Sequence, residues 1–223
     1  MHDAAQEVAK RIAAVIEPPA RELVAAYFDP DQTFAGYTFE RLGTNPRDSF
    51  AIDDLLALTL MDVALSPPAV RAILGSEHAK LSALLAPVRH DVDLWNASDA
   101  DLDVAAALFE ELTQQPGLGP IKAGKLMSRK RPRLIPVIDK HVVDVLRAPK
   151  GQYWRTMRDA LAEGLLHSTV EQALRGKVPT DVPTLRLLDV AIWMRTSESD
   201  NARGTRERLG LDVQPRSAAK GSS

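Results

Sequence analysis

The fold assignment of this chain depends on the stretch QPGLGPIKAGKL, residues 115–126. Gly117 and Gly119 stand one residue apart between two runs of helix-forming residues, a pattern that predicts a very tight turn between two helices. The amides that open the second helix would face outward without intrahelical partners, and such amides bind phosphate groups. Asp139 follows Gly119 by twenty residues, at the start of another predicted helix. This combination indicates an enzyme that acts on nucleic acid.

The segment behind the turn is the most basic part of the chain. Residues 122–150 contain nine Lys or Arg and two acids, a net charge of +7, whereas the whole 223-residue chain carries −2. The remainder therefore carries −9. Such asymmetry is typical of a surface that binds a polyanion. The alternative interpretation is a solvated basic pair of helices.

Composition excludes several classes of site. The chain has no cysteine, which excludes disulfides, iron–sulfur clusters and thiolate zinc sites. Its five histidines show no metal-ligand spacing, so no metal site is predicted. No apolar run reaches the length of a membrane span, and the N-terminus lacks the apolar core of a signal peptide. We therefore expect a cytoplasmic protein without a membrane partner.

Hydrophobic periodicity predicts an all-α protein. Nearly every periodic segment has helical spacing, including 49–65, 101–113, 120–128 and 139–146, and no alternating strand pairs or internal repeats occur. Residues 32–48 break the pattern and read as a loop. The sequence predicts one helical domain over residues 1–196 and a disordered tail over 197–223, where polar, glycine and charged residues dominate.

Two motifs resemble a known superfamily. The turn Pro116-Gly117-Leu118-Gly119 with Ala123, followed by PVIDKHV at residues 136–142, resembles the helix-hairpin-helix (HhH-GPD) DNA glycosylases. That superfamily includes endonuclease III and the alkyladenine and oxoguanine glycosylases. The pattern from Leu185 to Met194 is similar to an uncharacterised bacterial family related to it. The resemblance implies a two-lobed helical fold with a central cleft, and a hairpin at about 101–128 on one rim.

The resemblance also implies roles for the turn and the acid. The amides around Gly117, Leu118 and Gly119 would grip one DNA phosphate, with a monovalent cation as the one possible cofactor. The target nucleotide would be flipped into the cleft. There Asp139 would stabilise the oxocarbenium-like sugar and orient or deprotonate the attacking water. The alternative for Asp139 is a plain helix N-cap.

One position departs from the superfamily pattern. Members that also cut the backbone carry a lysine two residues after the second hairpin glycine, and this chain has Ile121 there. This departure argues against the usual lyase chemistry. Lys125 lies one helical turn further and shares the face of Ile121, so its amine could reach back toward Asp139. The favoured alternative for Lys125 is a phosphate contact or a solvated lysine.

The remaining candidates are cations and aromatic residues. Basic side chains near the turn are assigned to contacts with backbone phosphates. These cations are Lys122, Arg129, Lys130, Arg131, Arg133 and Lys140. Ile121, predicted to be exposed at the turn, is assigned to the same DNA-binding surface. Three aromatic residues, Tyr37, Phe39 and Trp95, are candidates for stacking on a flipped base, although core packing is the alternative for each.

The leading hypothesis is a monofunctional DNA glycosylase, acting as a monomer, that removes a damaged or modified base and leaves an abasic site. Base excision in DNA repair and defence against phages with modified bases are both compatible with it. One alternative is a non-catalytic DNA-binding protein that uses the hairpin only to hold the backbone. A further alternative is a glycosylase with lyase activity that employs Lys125.

Overall fold

A computed structural model describes residues 2–32 and 34–211, and every regular element in these ranges is helical. The all-α prediction is therefore confirmed. The α-helices are α1 (His2–Ile16), α2 (Ala20–Phe28), α3 (Ile52–Thr59), α4 (Pro67–Arg71), α5 (His78–Leu85), α6 (Asp99–Thr113), α7 (Pro120–Lys130), α8 (Lys140–Leu146), α9 (Tyr153–Ala162), α10 (Leu166–Leu174), α11 (Thr184–Thr196) and α12 (Asp200–Arg208). Short 3₁₀ segments lie at Ala35–Thr38, Leu94–Asn96 and Glu163–Leu165, and a π turn at Ala72–Ser76. None of the described helices is long and apolar enough to cross a membrane.

The hairpin formed by α6 and α7 follows from its local sequence. Ser98 caps α6 by accepting a hydrogen bond from the amide of Asp101 at 3.1 Å, and the Asp101 carboxylate accepts from the Ser98 amide at 2.8 Å. After the turn, α7 begins at Pro120, where the missing amide hydrogen costs nothing. Leu118, between the two glycines, is buried and anchors the turn to the core. Two helices joined by a tight turn are therefore present where the hairpin was expected, at about 101–128.

Helix packing divides the described elements into two groups. The first contains α1, α2 and α8–α12, with α11 in contact with α1, α2, α8, α10 and α12. The second contains α3–α7, in which α7 packs against α3 and α6. The groups meet where α9 packs on α6 and on the 3₁₀ segment Leu94–Asn96. One continuous hydrophobic core runs through both groups.

Two predicted boundaries were wrong. The helix predicted over 49–65 is limited to α3, and Asp62 behind it adopts a left-handed backbone with φ of 55°. The tail predicted from residue 197 instead forms α12, which is polar but tied to the core: Arg206 donates to the carbonyl oxygens of Met194 and Ser197 at 2.6 and 2.8 Å. The rest of the predicted tail, residues 212–223, lies outside the described residues.

Candidate active site

The glycine turn presents free backbone donors. Gly119 is the N-cap of α7, and no acceptor among the described residues takes the amide hydrogens of Gly119, Ile121 or Lys122. A Cβ added at Gly119 would meet no atom within 4 Å, so the surface beside this N-cap is open. Ile121 is 40% exposed at the same surface. This geometry is what a phosphate-binding helix start requires.

Gly117 has a structural reason to be glycine. Its φ is +80°, and a Cβ there would lie 2.3 Å from the hydroxyl oxygen of Ser66. Its carbonyl oxygen accepts a hydrogen bond from Lys122 Nζ at 3.2 Å. An ammonium group therefore already contacts one carbonyl of the turn at which a monovalent cation is predicted.

Asp139 is both a helix cap and a cavity residue. One carboxylate oxygen, Oδ1, accepts from the amide of Val142 at 2.9 Å and so caps α8. Its other oxygen accepts no hydrogen bond from any described residue, and the side chain lines a cavity of about 220 Å³. The cap fixes the rotamer of Asp139 and leaves Oδ2 available for chemistry.

The cavity lies where the two helix groups face each other. Its walls come from α2, the loop before Gly36, the end of α3, α7, α11 and the start of α12. Three aromatic rings form one side: Tyr27 stacks on Phe34 with centroids 5.3 Å apart, and Trp193 meets both rings edge-on at 5.9 and 6.0 Å. A cavity of roughly 150 Å³ already accommodates a benzene ring. The observed volume and lining therefore suit a single nucleobase.

Lys125 lies in this cavity and not on the surface. It is 7% exposed, and its Nζ donates to the carbonyl oxygen of Met61 at 3.0 Å. Burial lowers the pKa of the Lys125 amine, while the nearby Asp139 carboxylate opposes that shift. The favoured sequence interpretation, a phosphate contact or a solvated lysine, was wrong. The less favoured one, an amine near Asp139, agrees with this placement.

Helix α11 contributes two charged groups that the sequence interpretation missed. Arg186 is buried between the rings of Tyr27 and Phe39, with its Nε 2.7 Å from Glu40 Oε1. Asp189, one turn further, is 4% exposed and accepts a hydrogen bond from the amide of Val137 at 2.9 Å. Burial raises the pKa of Asp189 to about 8, against the lowering effect of Arg186. Both side chains line the cavity.

The assignment of three cations to DNA phosphates was wrong. Arg129, Lys130 and Arg131 are 0%, 5% and 1% exposed, so none presents its charge to a surface ligand. Arg129 and Lys130 each bind the fully buried carboxylate of Asp54 at 2.8 Å. Arg131 donates to the carbonyl oxygens of Val88 at 2.6 Å and Leu85 at 2.8 Å. These cations hold the second helix group together.

The other predicted phosphate contacts lie at the surface. Lys140 is exposed at the start of α8, and Lys122 is half-buried beside the turn. Arg133 is exposed but paired with Asp93, its Nη2 2.6 Å from Oδ2. The basic surface is therefore smaller than the charge count of residues 122–150 indicates.

The predicted stacking residues were also wrong. Phe39 is fully buried below the Arg186 guanidinium, and its carbonyl oxygen accepts from Arg129. Trp95 stacks on His167 with centroids 4.6 Å apart, away from the cavity. Tyr37 packs partly buried against the core and does not line the cavity. All three follow the core-packing alternative.

The missed cavity residues gave only weak signals in the sequence. Tyr27 and Trp193 sit at helical core spacing, where burial alone explains them. An informative signal was available for Arg186 and Asp189, two charged residues within the otherwise apolar stretch Leu185–Met194 of α11, because unpaired charges are rarely buried. Ser199 and Asn201 line the cavity from a segment predicted to be disordered. No cluster of His, Cys, Asp or Glu among the described residues could hold a metal ion.

Comparisons with known proteins give a family but no activity. The model of a family of unknown function (DUF6308) matches residues 20–196, most of the chain, and the chain belongs to that family. The match spans the glycine turn, Asp139 and helix α11. No curated protein and no solved structure matches the chain.

Proposed function

We propose that this member of the DUF6308 family is a monofunctional DNA glycosylase with a two-lobed HhH-GPD-like fold, which hydrolyses the bond between a damaged or modified base and its sugar. The observation that carries the proposal is the placement of Asp139. It has one oxygen fixed by the cap of α8 and one facing a base-sized cavity with aromatic walls. A carboxylate in that position suits an oxocarbenium-like transition state.

Helix α7 links the proposed phosphate grip to the chemistry. Its free amides lie at Gly119, Ile121 and Lys122, and Lys125 lines the cavity on the same helix. With a rise of about 1.5 Å per residue, Gly119 and Lys125 are about 9 Å apart along the axis. A backbone phosphate held at the start of α7 is thus close enough for a neighbouring nucleotide to enter the cavity once it leaves the stack.

In the proposed reaction, the flipped base packs against the rings of Phe34 and Trp193, and Asp139 faces the sugar. As the bond from C1′ to the base lengthens, positive charge develops on the sugar, and the Asp139 carboxylate stabilises it. The electron pair of the broken bond leaves with the base, which takes up one proton, while water attacks C1′ and passes a proton to Asp139. The products are the free base and an abasic site.

The test is base release from DNA carrying damaged or modified bases, measured for the wild type, Asp139→Asn and Asp144→Asn. Asparagine caps a helix as well as aspartate, so Asp139→Asn keeps α8 intact but removes the charge. We expect its single-turnover rate to fall about 100-fold or more. Asp144, exposed on the same helix, is the matched control and should retain full activity. Equal rates for wild type and Asp139→Asn would remove Asp139 from the reaction.

A second candidate activity, backbone cleavage by Lys125, is supported by the burial of its amine beside Asp139. An amine with a lowered pKa is unprotonated more often and can attack C1′, displacing the base and forming a Schiff base. Borohydride would then trap a covalent DNA adduct in the wild type and in Lys122→Ala but not in Lys125→Ala. Absence of an adduct in an otherwise active wild type would establish the monofunctional reaction.

The smaller exposed basic surface also bears on the alternative of a purely DNA-binding module. Such a module needs phosphate contacts but no cavity, whereas here three of the six predicted phosphate-contacting cations are buried and a cavity adjoins the helix that carries the turn. A DNA-binding protein without activity predicts no base release in any of these variants, undiminished DNA affinity for Asp139→Asn and Asp144→Asn, and weaker binding for Lys122→Ala.

A further inference from the structure

Two carboxyl groups enter the same cavity in different settings. Asp139 lies at the start of α8, where one oxygen is bound by a backbone amide. Asp189 lies on α11, where Oδ2 accepts from the amide of Val137, two residues before Asp139 in the chain. Neither carboxyl has a described hydrogen-bond donor on its second oxygen. One extended segment, residues 137–139, therefore ties both acids to the cavity.

The environment of Asp189 favours its protonated form. It is buried, and the charged or titratable groups near it are Arg186 on its own helix, Glu40, Asp139 and Tyr153 on α9. Arg186 is partly neutralised by its ion pair with Glu40. Burial, with the two carboxylates adding to it, raises the pKa of Asp189 to about 8.

Asp139 differs in each respect. It is only partly buried, it caps a helix whose dipole favours a negative charge, and Lys125 lines the same cavity. Two carboxyl groups placed in contrasting surroundings on one cavity are an arrangement by which enzymes divide the roles of acid and base.

We propose that Asp189 is the general acid that protonates the departing base, while the side chain of Asp139 stabilises the sugar. This assignment rests on the proposed glycosylase function and adds a second catalytic residue to it. In this proposal Asp189, which lies on the α11 wall beside the aromatic rings, faces the base, whereas Asp139 faces the sugar.

The proposed step balances. The bond between C1′ and the base nitrogen breaks, its electron pair goes to the base, and the Asp189 proton moves to an acceptor atom of the base, which leaves neutral. Water adds to C1′ and gives one proton to Asp139. Transfer of that proton back to Asp189 restores both groups, so that one water is consumed for each base released.

The test uses Asp189→Asn with substrates that differ in leaving-group quality. Asparagine keeps an oxygen for the Val137 amide and is neutral, like the protonated acid, so the fold should survive. The paired probes are DNA with uracil and 5-fluorouracil, and DNA with guanine and N7-methylguanine. General acid catalysis contributes about 10²–10⁴-fold. We expect Asp189→Asn to slow uracil or guanine release by about 100-fold and to affect the activated base of each pair much less.

Two further readouts separate an acid from a merely structural residue. The wild-type rate should fall as pH rises through about 8, and this limb should be missing in Asp189→Asn. Infrared difference spectra should show a protonated carboxyl at pH 7 that disappears in Asp189→Asn but not in Asp181→Asn, a surface control whose partner is Arg41. Asp139→Asn should slow the release of both bases in each set of probes, uracil with 5-fluorouracil and guanine with N7-methylguanine.

Specific outcomes overturn the assignment. Equal slowing of good and poor leaving groups in Asp189→Asn would reduce Asp189 to a residue that positions Val137, while the glycosylase proposal would stand. Absence of the protonated carboxyl band at pH 7 would overturn the assignment without reference to any substrate. A wild type that releases none of the four bases, and no other modified base, would overturn the glycosylase proposal and the acid role together.

Discussion

Replacing Asp54 by Asn should unfold the protein at markedly lower denaturant concentration. Asp54 is fully buried at the start of α3, and its carboxylate binds Arg129 Nε and Lys130 Nζ, each at 2.8 Å. It also accepts from the amide of Ala51 at 2.8 Å, which an asparagine oxygen could still do. The substitution therefore removes the negative charge from between two buried cations, and it places an NH2 group where Oδ1 accepts from Arg129 Nε.

The expected loss of unfolding free energy depends on the hydrogen-bond acceptors that Arg129 and Lys130 keep in the variant. Breaking a buried ion pair costs about 3–5 kcal/mol, because the remaining charge stays buried without a counter-charge. Arg129 retains the carbonyl oxygens of Phe39 and Leu42, and Lys130 retains Asn45 Oδ1 at 2.9 Å. Because these acceptors remain, we expect the loss of unfolding free energy to lie near the lower end of that range, at about 3 kcal/mol. For a chain of this length that corresponds to a fall in Tm of about 6–12 °C.

The cost should also depend on pH. Burial already lowers the pKa of Lys130, and Asp54 opposes that shift. Without Asp54 the pKa of Lys130 falls further, and the amine can lose its proton instead of remaining as an unpaired charge. The stability difference between the wild type and Asp54→Asn should therefore shrink as pH rises.

The assay is urea unfolding followed by helical circular dichroism, with Asp103→Asn as control. Asp103 is an exposed carboxylate paired with Arg155, and such pairs contribute about 1 kcal/mol or less. With a urea dependence of about 3 kcal/mol per molar, Asp54→Asn should lower the midpoint by about 1 M. A midpoint equal to that of Asp103→Asn would refute the structural account of Arg129 and Lys130 and return them to the list of candidate DNA contacts.

Four further outcomes are expected. Gly119→Ala should unfold within about 1 kcal/mol of the wild type, because its Cβ would meet no other atom. We expect it to bind DNA more weakly in fluorescence anisotropy, because the added methyl group narrows the close approach of a phosphate to the N-cap; equal affinity would refute the phosphate grip. Gly117→Ala, strained at φ +80° and pressed against Ser66, should instead lower Tm, and an unchanged Tm would contradict this. Lys140→Ala should reduce the slope of log affinity against log salt by about 0.9, whereas an unchanged slope would exclude a phosphate contact. The folded-state pKa of Asp189 is raised to about 8, so its contribution to stability should be lost as pH rises toward 8. Relative to Asp189→Asn, the wild type should lose up to about 1.4 kcal/mol of unfolding free energy per pH unit between roughly pH 5 and 8, measured by urea unfolding. The same dependence of unfolding free energy on pH in both proteins would refute the burial argument.

Local sequence signals predicted most of the fold. Helices with an apolar stripe and a clear cap or proline, such as α6 and α7, lie close to their expected positions because periodicity and capping are local properties. Helix α12 was missed because its sequence is polar throughout. It is held by the Arg206 guanidinium on carbonyl oxygens at the end of α11, and that contact exists only once the chain has folded.

The site was predictable where it depends on spacing along the chain and not where it depends on distant partners. The turn fixed the start of α7, and from it the positions of Lys125 and Asp139 followed. Charge counting failed for Arg129 and Lys130 because their counter-ion, Asp54, precedes them by more than 70 residues. The aromatic wall likewise combines α2, a loop and α11, which no single segment reveals.

The charge state of Lys125 connects the two activities considered for this cavity. A protonated Lys125 would offset the Asp139 carboxylate and disfavour positive charge on the sugar, so it would slow hydrolysis. A neutral Lys125 leaves the Asp139 charge unopposed and is also the nucleophile that Schiff-base chemistry needs. Because burial lowers the pKa of Lys125 and its amine donates to the Met61 carbonyl, the lone pair of the neutral amine is directed away from that oxygen. Lys125→Gln, which keeps a donor for Met61 but cannot form a Schiff base, should therefore retain base release, and any borohydride adduct formed by the wild type should be lost in it. Loss of both in this variant would mean that the two reactions share Lys125 as nucleophile.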